Sequence, residues 1–302
     1  MKFDLLKAYD DIIFNDKTTQ EQLNNYYNAF YMDYFVRPDL RINQRAGHNS
    51  KGEFIEGLHI YPDRKCICEI LEQIQKRLNN EADIINKLGS NRLSSLLFIC
   101  ELVNYHITNY FGSTENTREN TNVFYSKATN QSEYMANLSD FKNKKSAMCI
   151  ERALATYIVL YVIYNTQELN PYFPFKPYLS YINYCPNITE KSGCGGHALC
   201  GLISKNGKEV YLLDPTNYGL VEDTNGQKQQ IYGLYELSKE EIELMFNGKA
   251  IVPTLFRCKH IDGLVQLSHG AISQKASEFE KLIKEIATNI NIDVSRDLPQ
   301  IR

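Results

Sequence analysis

The run from Cys149 to Tyr164 constrains this chain more than any other segment. It contains Ile150, Ala153, Leu154, Tyr157, Ile158, Val159, Leu160, Val162 and Ile163. On a helix these side chains cover nearly the whole circumference, and a helix apolar all round has to be enclosed on every side. The run therefore predicts a central buried helix, capped near Ser146, with the rest of the chain packed around it. Pro171, Pro174 and Pro177 bar its regular continuation.

Residues 1 to about 112 read mainly as helix. Glu69–Leu88 sets Ile70, Leu71, Ile74, Leu78, Ile84, Ile85 and Leu88 near helical spacing. Asn91–Tyr110 does the same with Leu93, Leu96, Leu97, Ile99, Leu102, Val103 and Ile107. Such stripes bury against other helices. Asn43–Gly57 is polar and contains glycine, which predicts a loop. Ser113–Asn122 carries no apolar residue and predicts surface chain.

Beyond the central helix, Tyr172, Phe173, Phe175, Tyr178, Tyr181 and Tyr184 read as strand and loop. They either pack around a core or line a groove. His197–Ile203 and Glu209–Asp214 flank Asn206-Gly207, a pair that supplies the positive φ values of a tight hairpin. A short strand near Gln230–Leu234 follows. Ser238 and Glu241 form a capping box at the start of a helix to Phe246, and Ser273–Asn289 predicts an amphipathic helix. The fold class expected is α+β. A helical N-terminal region (1–112) and a polar linker or loop (113–140) precede a core (141–302), in which a central helix packs on an antiparallel sheet.

Chemistry enters at the opening of that helix. A thiol attacks only as its thiolate, so its surroundings must favour negative charge or supply a base. In the first helical turn, Cys149 meets unpaired backbone N–H groups and the positive end of the helix dipole. His197 is the candidate base, approached through Ser192-Gly193-Cys194-Gly195-Gly196. Asp214 is the candidate carboxylate that orients the imidazole. Strand parity gives a test of this pairing. A two-residue turn at Asn206-Gly207 sets Lys205 opposite Lys208, and Leu199 opposite Asp214. His197 and Asp214 then share a face as diagonal neighbours, with roughly 7–8 Å between backbones. Glu151 sits where a carboxylate complements the dipole or tunes the thiol.

Three blocks carry a resemblance: Met148-Cys149-Ile150-Glu151-Arg152-Ala153, Gly196-His197-Ala198 and Leu213-Asp214-Pro215-Thr216. Together they resemble the core of the transglutaminase-like cysteine enzymes, over about residues 141–219. The resemblance implies a papain-like α+β core and a Cys149, His197, Asp214 triad. It also implies acyl transfer through a thioester, on a peptide or glutamine-type amide, without cofactor or metal. The chain departs from the pattern at Ala147, where glycine is frequent, and at Leu199, where an aromatic residue is frequent. Asn143 and Gln131 are the candidates for an upstream oxyanion-binding side chain.

Other function classes fit less well. A formal net charge of -3 leaves no large cationic excess for nucleic acid. Lys142, Lys144 and Lys145 read as a solvated face. Eight cysteines in 302 residues are too sparse for a disulfide-stapled scaffold. Cys66 and Cys68, with His59 nearby, form no standard metal knuckle. Zinc on Cys185, Cys194, His197 and Cys200 would need His197 and Cys200, three apart on one strand, to face the same way. Met1–Asp10 lacks the apolar core of a secretory signal, and no run is long enough to span a bilayer. The expectation is a protein without a membrane span, cytoplasmic or exported without a classical signal peptide, with a protein or peptide substrate. An arylamine N-acetyltransferase-like acyltransferase, a non-catalytic interaction protein and a zinc-stabilised module are the alternatives.

Overall fold

The structure, a computed structural model, describes residues 2–14, 44–48, 54–80, 92–112, 134–144, 147–184, 195–206, 208–222, 228–236, 257–261 and 264–268. The helices among them are α1 (Leu5–Tyr9, continued by a π-helical turn, Asp10–Phe14), α2 (Arg64–Asn80), α3 (Arg92–Phe111), α4 (Leu138–Lys144) and α5 (Cys149–Asn165). The strands are β1 (Gln44–His48), β2 (Phe54–Tyr61), β3 (Tyr134–Asn137), β4 (Phe175–Tyr184), β5 (Gly195–Ser204), β6 (Val210–Glu222), β7 (Lys228–Glu236), β8 (Arg257–Ile261) and β9 (Leu264–Ser268). Helices and a four-stranded antiparallel sheet, order β4-β5-β6-β7, make the fold α+β.

The apolar run of the sequence is α5, and every residue from Glu151 to Leu160 is buried. It packs against β4, β5 and β6 and against α1, α2 and α3. One hydrophobic cluster runs from Phe3 and Leu5 through Leu71, Val103, Val159 and Phe175 to Leu213 and Leu234. The described N-terminal helices thus share their core with the sheet. α2 contributes Cys66, Ile67, Ile70, Leu71, Ile74 and Leu78, spaced to lie on one face. The helix starts at Arg64, five residues before Glu69, because Asp63 caps it: the Cys66 N–H donates to Asp63 Oδ2 at 3.2 Å. The other carboxylate oxygen accepts the Ser139 N–H at 2.9 Å, which ties α4 to the same point. Ile84, Ile85 and Leu88 lie outside the described residues.

Short α1 is stabilised by side chains of α2. Gln75 Oε1 accepts the Leu5 N–H at 2.6 Å, and Asn79 Oδ1 accepts the Phe3 N–H at 2.6 Å. A helix this short is not stable alone, so its exposed N–H groups need these tertiary partners.

The hairpin register follows the turn expected from Asn206-Gly207. Cys200 pairs with Leu213 and Ile203 with Val210. The Ser204 N–H donates to Glu209 O at 3.0 Å. Asn206 Oδ1 closes the turn by accepting the Lys208 N–H at 3.1 Å; Gly207 lies outside the described residues. Ala198, Cys200, Leu202, Tyr211 and Leu213 join the helix-side core. Leu199, Val210 and Leu212 alternate with them and are buried as well.

Three expectations need correction. Asn43–Gly57 is not simply a loop: it contains β1 and the start of β2, which pair antiparallel. β1 is an edge strand held by backbone pairing, and its polar side chains gave no strand signal. The end of the expected linker forms β3, parallel to β2, and then α4 begins within it. The N-cap of α5 is Met148, not Ser146, so Cys149 is the first helical residue. The expected helices at 238–246 and 273–289 lie outside the described residues, as do 113–133.

Leu160 is fully buried at the middle of α5. Leu160→Ala is expected to cost about 2–5 kcal/mol of stability. Exposed Glu168→Ala is expected to stay within about 0.5 kcal/mol. Urea denaturation of both variants checks the contrast.

Candidate active site

Cys149 opens α5 half-buried, with its backbone in helical conformation. The first intrahelical bond at this end runs from the Arg152 N–H to Met148 O, at 3.2 Å. The N–H groups of Cys149, Ile150 and Glu151 therefore have no acceptor within the helix. Glu151 is fully buried, and its Oε2 accepts the Met148 N–H at 2.7 Å. It therefore both complements the dipole and fixes the residue before the thiol.

Among the other described thiols, burial pushes Cys66 and Cys100 far up, and Cys68 up as well, which favours the unreactive thiol form. Cys200 is buried and its Sγ lies 3.6 Å from Gly201 O. His197 stands on β5 opposite Ile182, and its side chain lies outside the described atoms, as do Cys185 and Cys194. His197 and Cys200 occupy positions of opposite parity on that strand. Among the described residues no group of three or more His, Cys, Asp or Glu is placed to hold a metal ion. No described helix is long and apolar enough to cross a membrane.

Asp214 is fully buried, but the parity argument does not reach it. The β5–β6 ladder ends at the Cys200–Leu213 pair. On the other side, Leu213 pairs with Leu234 and Tyr218 with Tyr232, so Asp214–Asn217 bulges opposite Gly233 alone. Gly233 has φ 59°, a left-handed conformation in which a side chain is strained. Asp214 Oδ1 accepts the Thr216 N–H at 3.0 Å, a local turn across Pro215 that holds the carboxylate in place. The direction of Asp214 is thus set by a bulge rather than by strand alternation.

That bulge is braced by residues whose role the sequence reading missed. Along α3, Glu101, Asn104 and Thr108 are buried on one face. Thr108 Oγ1 donates to Pro215 O at 3.0 Å, and Asn104 Nδ2 to Gly233 O at 3.3 Å. The Tyr218 hydroxyl donates to Glu101 Oε1. The signal was present in the sequence as Glu101, Asn104 and Thr108, polar residues at helical spacing within the apolar stretch of the helix.

Arg152 joins the two halves of the site. Burial pulls its guanidinium down to about 10, while the charges of Glu151, Asp214 and Cys149 act to raise it. Cys149 and Asp214 therefore lie within electrostatic reach of one cation. Asn143 and Gln131, the candidate oxyanion side chains, have no described side-chain position. Lys142 instead pairs with Glu69 at 2.7 Å and lies over the Tyr110 ring.

With this geometry in hand, the chain matches no protein-family model, no curated protein and no solved structure.

Two titrating groups on α3 make opposite predictions. Burial pushes the Glu101 carboxyl up from 4.5 to about 7, with the Tyr218 hydrogen bond acting against it. Between those values the folded chain keeps a proton that the unfolded chain releases, so stability falls as pH rises. Burial, with Arg77 adding to it, pulls His106 down from 6.5 to about 4. Between those values the unfolded chain takes a proton that the folded chain refuses, so stability falls as pH drops. Glu101→Gln is expected to leave a Tm that declines from pH 6.5 toward 4. His106→Gln is expected to leave one that declines from pH 4.5 toward 7. Thermal melts across this range check both slopes.

Proposed function

We propose that the chain is a cysteine-nucleophile acyl-transfer enzyme acting on a peptide or glutamine-type amide. Cys149 is the nucleophile, His197 the base and Asp214 the carboxylate that orients it. The observation that carries this reading is a half-buried Cys149 at the opening turn of a buried helix whose body packs on β6, the strand that bears Asp214. The three sequence blocks that resemble transglutaminase-like enzymes support it. His197 and Asp214 also lie on adjacent strands of the antiparallel sheet.

The chemistry follows from the groups present. His197 takes the proton of Cys149, and the sulfur attacks the amide carbonyl carbon. The oxyanion that forms lies near the first turn of α5, where the backbone N–H groups and the helix dipole favour negative charge. Collapse expels ammonia or an amine, which carries away the proton from His197 and leaves a thioester on Cys149. Water, deprotonated by His197, gives the acid and restores the thiol; an amine gives a new amide. The first outcome is hydrolysis or deamidation, the second cross-linking.

The test is a thiol-directed activity probe together with ammonia release from a blocked glutamine peptide. Labelling is expected to vanish in Cys149→Ala. Turnover is expected to fall by about 100-fold or more in His197→Ala. Undiminished labelling in the first variant, or full turnover in the second, overturns the assignment.

A further inference from the structure

Arg152 is an expensive residue. Its side chain is almost wholly enclosed, at 1% exposure. A buried cation costs several kcal/mol unless something compensates it. It also sits in the opening turns of α5, where the helix dipole disfavours positive charge. Its hydrogen bonds go to neutral carbonyls: Nε donates to Ala147 O at 3.2 Å, and Nη2 to Gly112 O at 2.6 Å. The Phe111 ring centroid lies 5.7 Å from the guanidinium carbon.

These contacts define where the charge is held. Side chains on a helix lean toward its N-terminus, so Arg152 reaches back past the first turn. Cys149 and Arg152 are three apart, which makes them neighbours on one helical face. Ala147 immediately precedes the N-cap. Gly112, with φ 77°, ends α3, and its N–H donates to Thr108 O at 2.8 Å. The guanidinium therefore pins the end of α3 to the opening of α5. The carboxylates acting on it are Glu151 from its own helix and Asp214 from β6, and the thiol of Cys149 bears on it too.

We propose, resting on the acyl-transfer reading above, that Arg152 is a positioning residue whose enclosed charge, fixed by the carbonyls of Ala147 and Gly112, keeps the neighbouring Cys149 sulfur as thiolate. A structural tie alone needs only hydrogen-bond donors. A fixed positive charge three residues along the same helical face also bears on the thiol equilibrium, because a nearby opposite charge favours the ionised form. The proton of Cys149 would then already rest on His197 before an amide binds, and that imidazolium would protonate the leaving amine.

The test is the pH dependence of iodoacetamide alkylation at Cys149 in the full chain, read by mass spectrometry of the Cys149 peptide. In His197→Ala the midpoint is expected to stay below about 8.5, the value of an ordinary thiol. A midpoint at or above that value overturns the proposal, whatever the Arg152 variants do. Arg152→Lys keeps a charge and is expected to keep the midpoint low. Arg152→Gln keeps donors for the carbonyls but loses the charge. It is expected to raise the midpoint by about one unit, so that alkylation at a pH well below both midpoints slows about tenfold. An unmoved midpoint in folded Arg152→Gln assigns the residue a structural role alone and overturns the proposal. If that variant does not fold, the His197→Ala midpoint still decides. The two readings fail separately. An ordinary thiol in a protein that turns over and needs His197 sinks only the role of Arg152. An acidic Cys149 in a protein that releases no ammonia sinks only the acyl-transfer reading.

Discussion

A helix with no polar side has to be surrounded, and the rest of the described structure follows from that requirement. α5 cannot expose a face without leaving apolar surface in water, so sheet and helices close on it from several directions. What such a helix cannot enclose cheaply is its end. The first turn carries N–H groups without helical acceptors, and they must find partners or meet an anion. At α5 that end holds a half-buried thiol, a buried carboxylate and a buried guanidinium. The concentration of polar chemistry at the mouth of the most apolar element is a direct consequence of enclosing the body and leaving the end.

The second constraint is the bulge in β6. A regular strand would have carried Asp214 in step with Leu213 and its partners. Instead the residues after Leu213 leave the ladder opposite a left-handed Gly233. Such a departure leaves backbone groups unpaired inside a core, and α3 supplies what they need. Thr108 and Asn104 donate to the carbonyls of Pro215 and Gly233, and Glu101 receives the Tyr218 hydroxyl. Most buried polar groups in folded proteins are matched in this way. α3 is therefore both a wall of the core and a template for the strand that bears Asp214, and its last residues also meet Arg152.

Much of this was legible in particular residues. The span of α5 could be read from its unbroken apolar composition, and α3 from its periodic one. Asn206-Gly207 was enough to give the β5–β6 register. The misreadings have distinct causes. β1 looked like a loop because an edge strand is held by its backbone and tolerates polar side chains. Ser146 looked like a cap because serine is a favoured one, whereas the cap interaction comes from Glu151 reaching back to the Met148 N–H. Asp214 seemed placed by strand parity, yet parity holds only while a ladder stays regular.

By itself, then, the order of residues determined the elements whose causes are local: a helix from periodicity, a hairpin from its turn, a candidate nucleophile from its place before an apolar run. Only the folded chain decided how Asp214, Arg152 and the polar face of α3 come together. Those positions depend on partners distant in sequence: Gly112 for Arg152, Gly233 and Pro215 for α3. The physical reason is one of range. Turn and helix preferences act between near neighbours along the chain, whereas the worth of a buried charge or hydrogen bond is set by whatever the fold places against it.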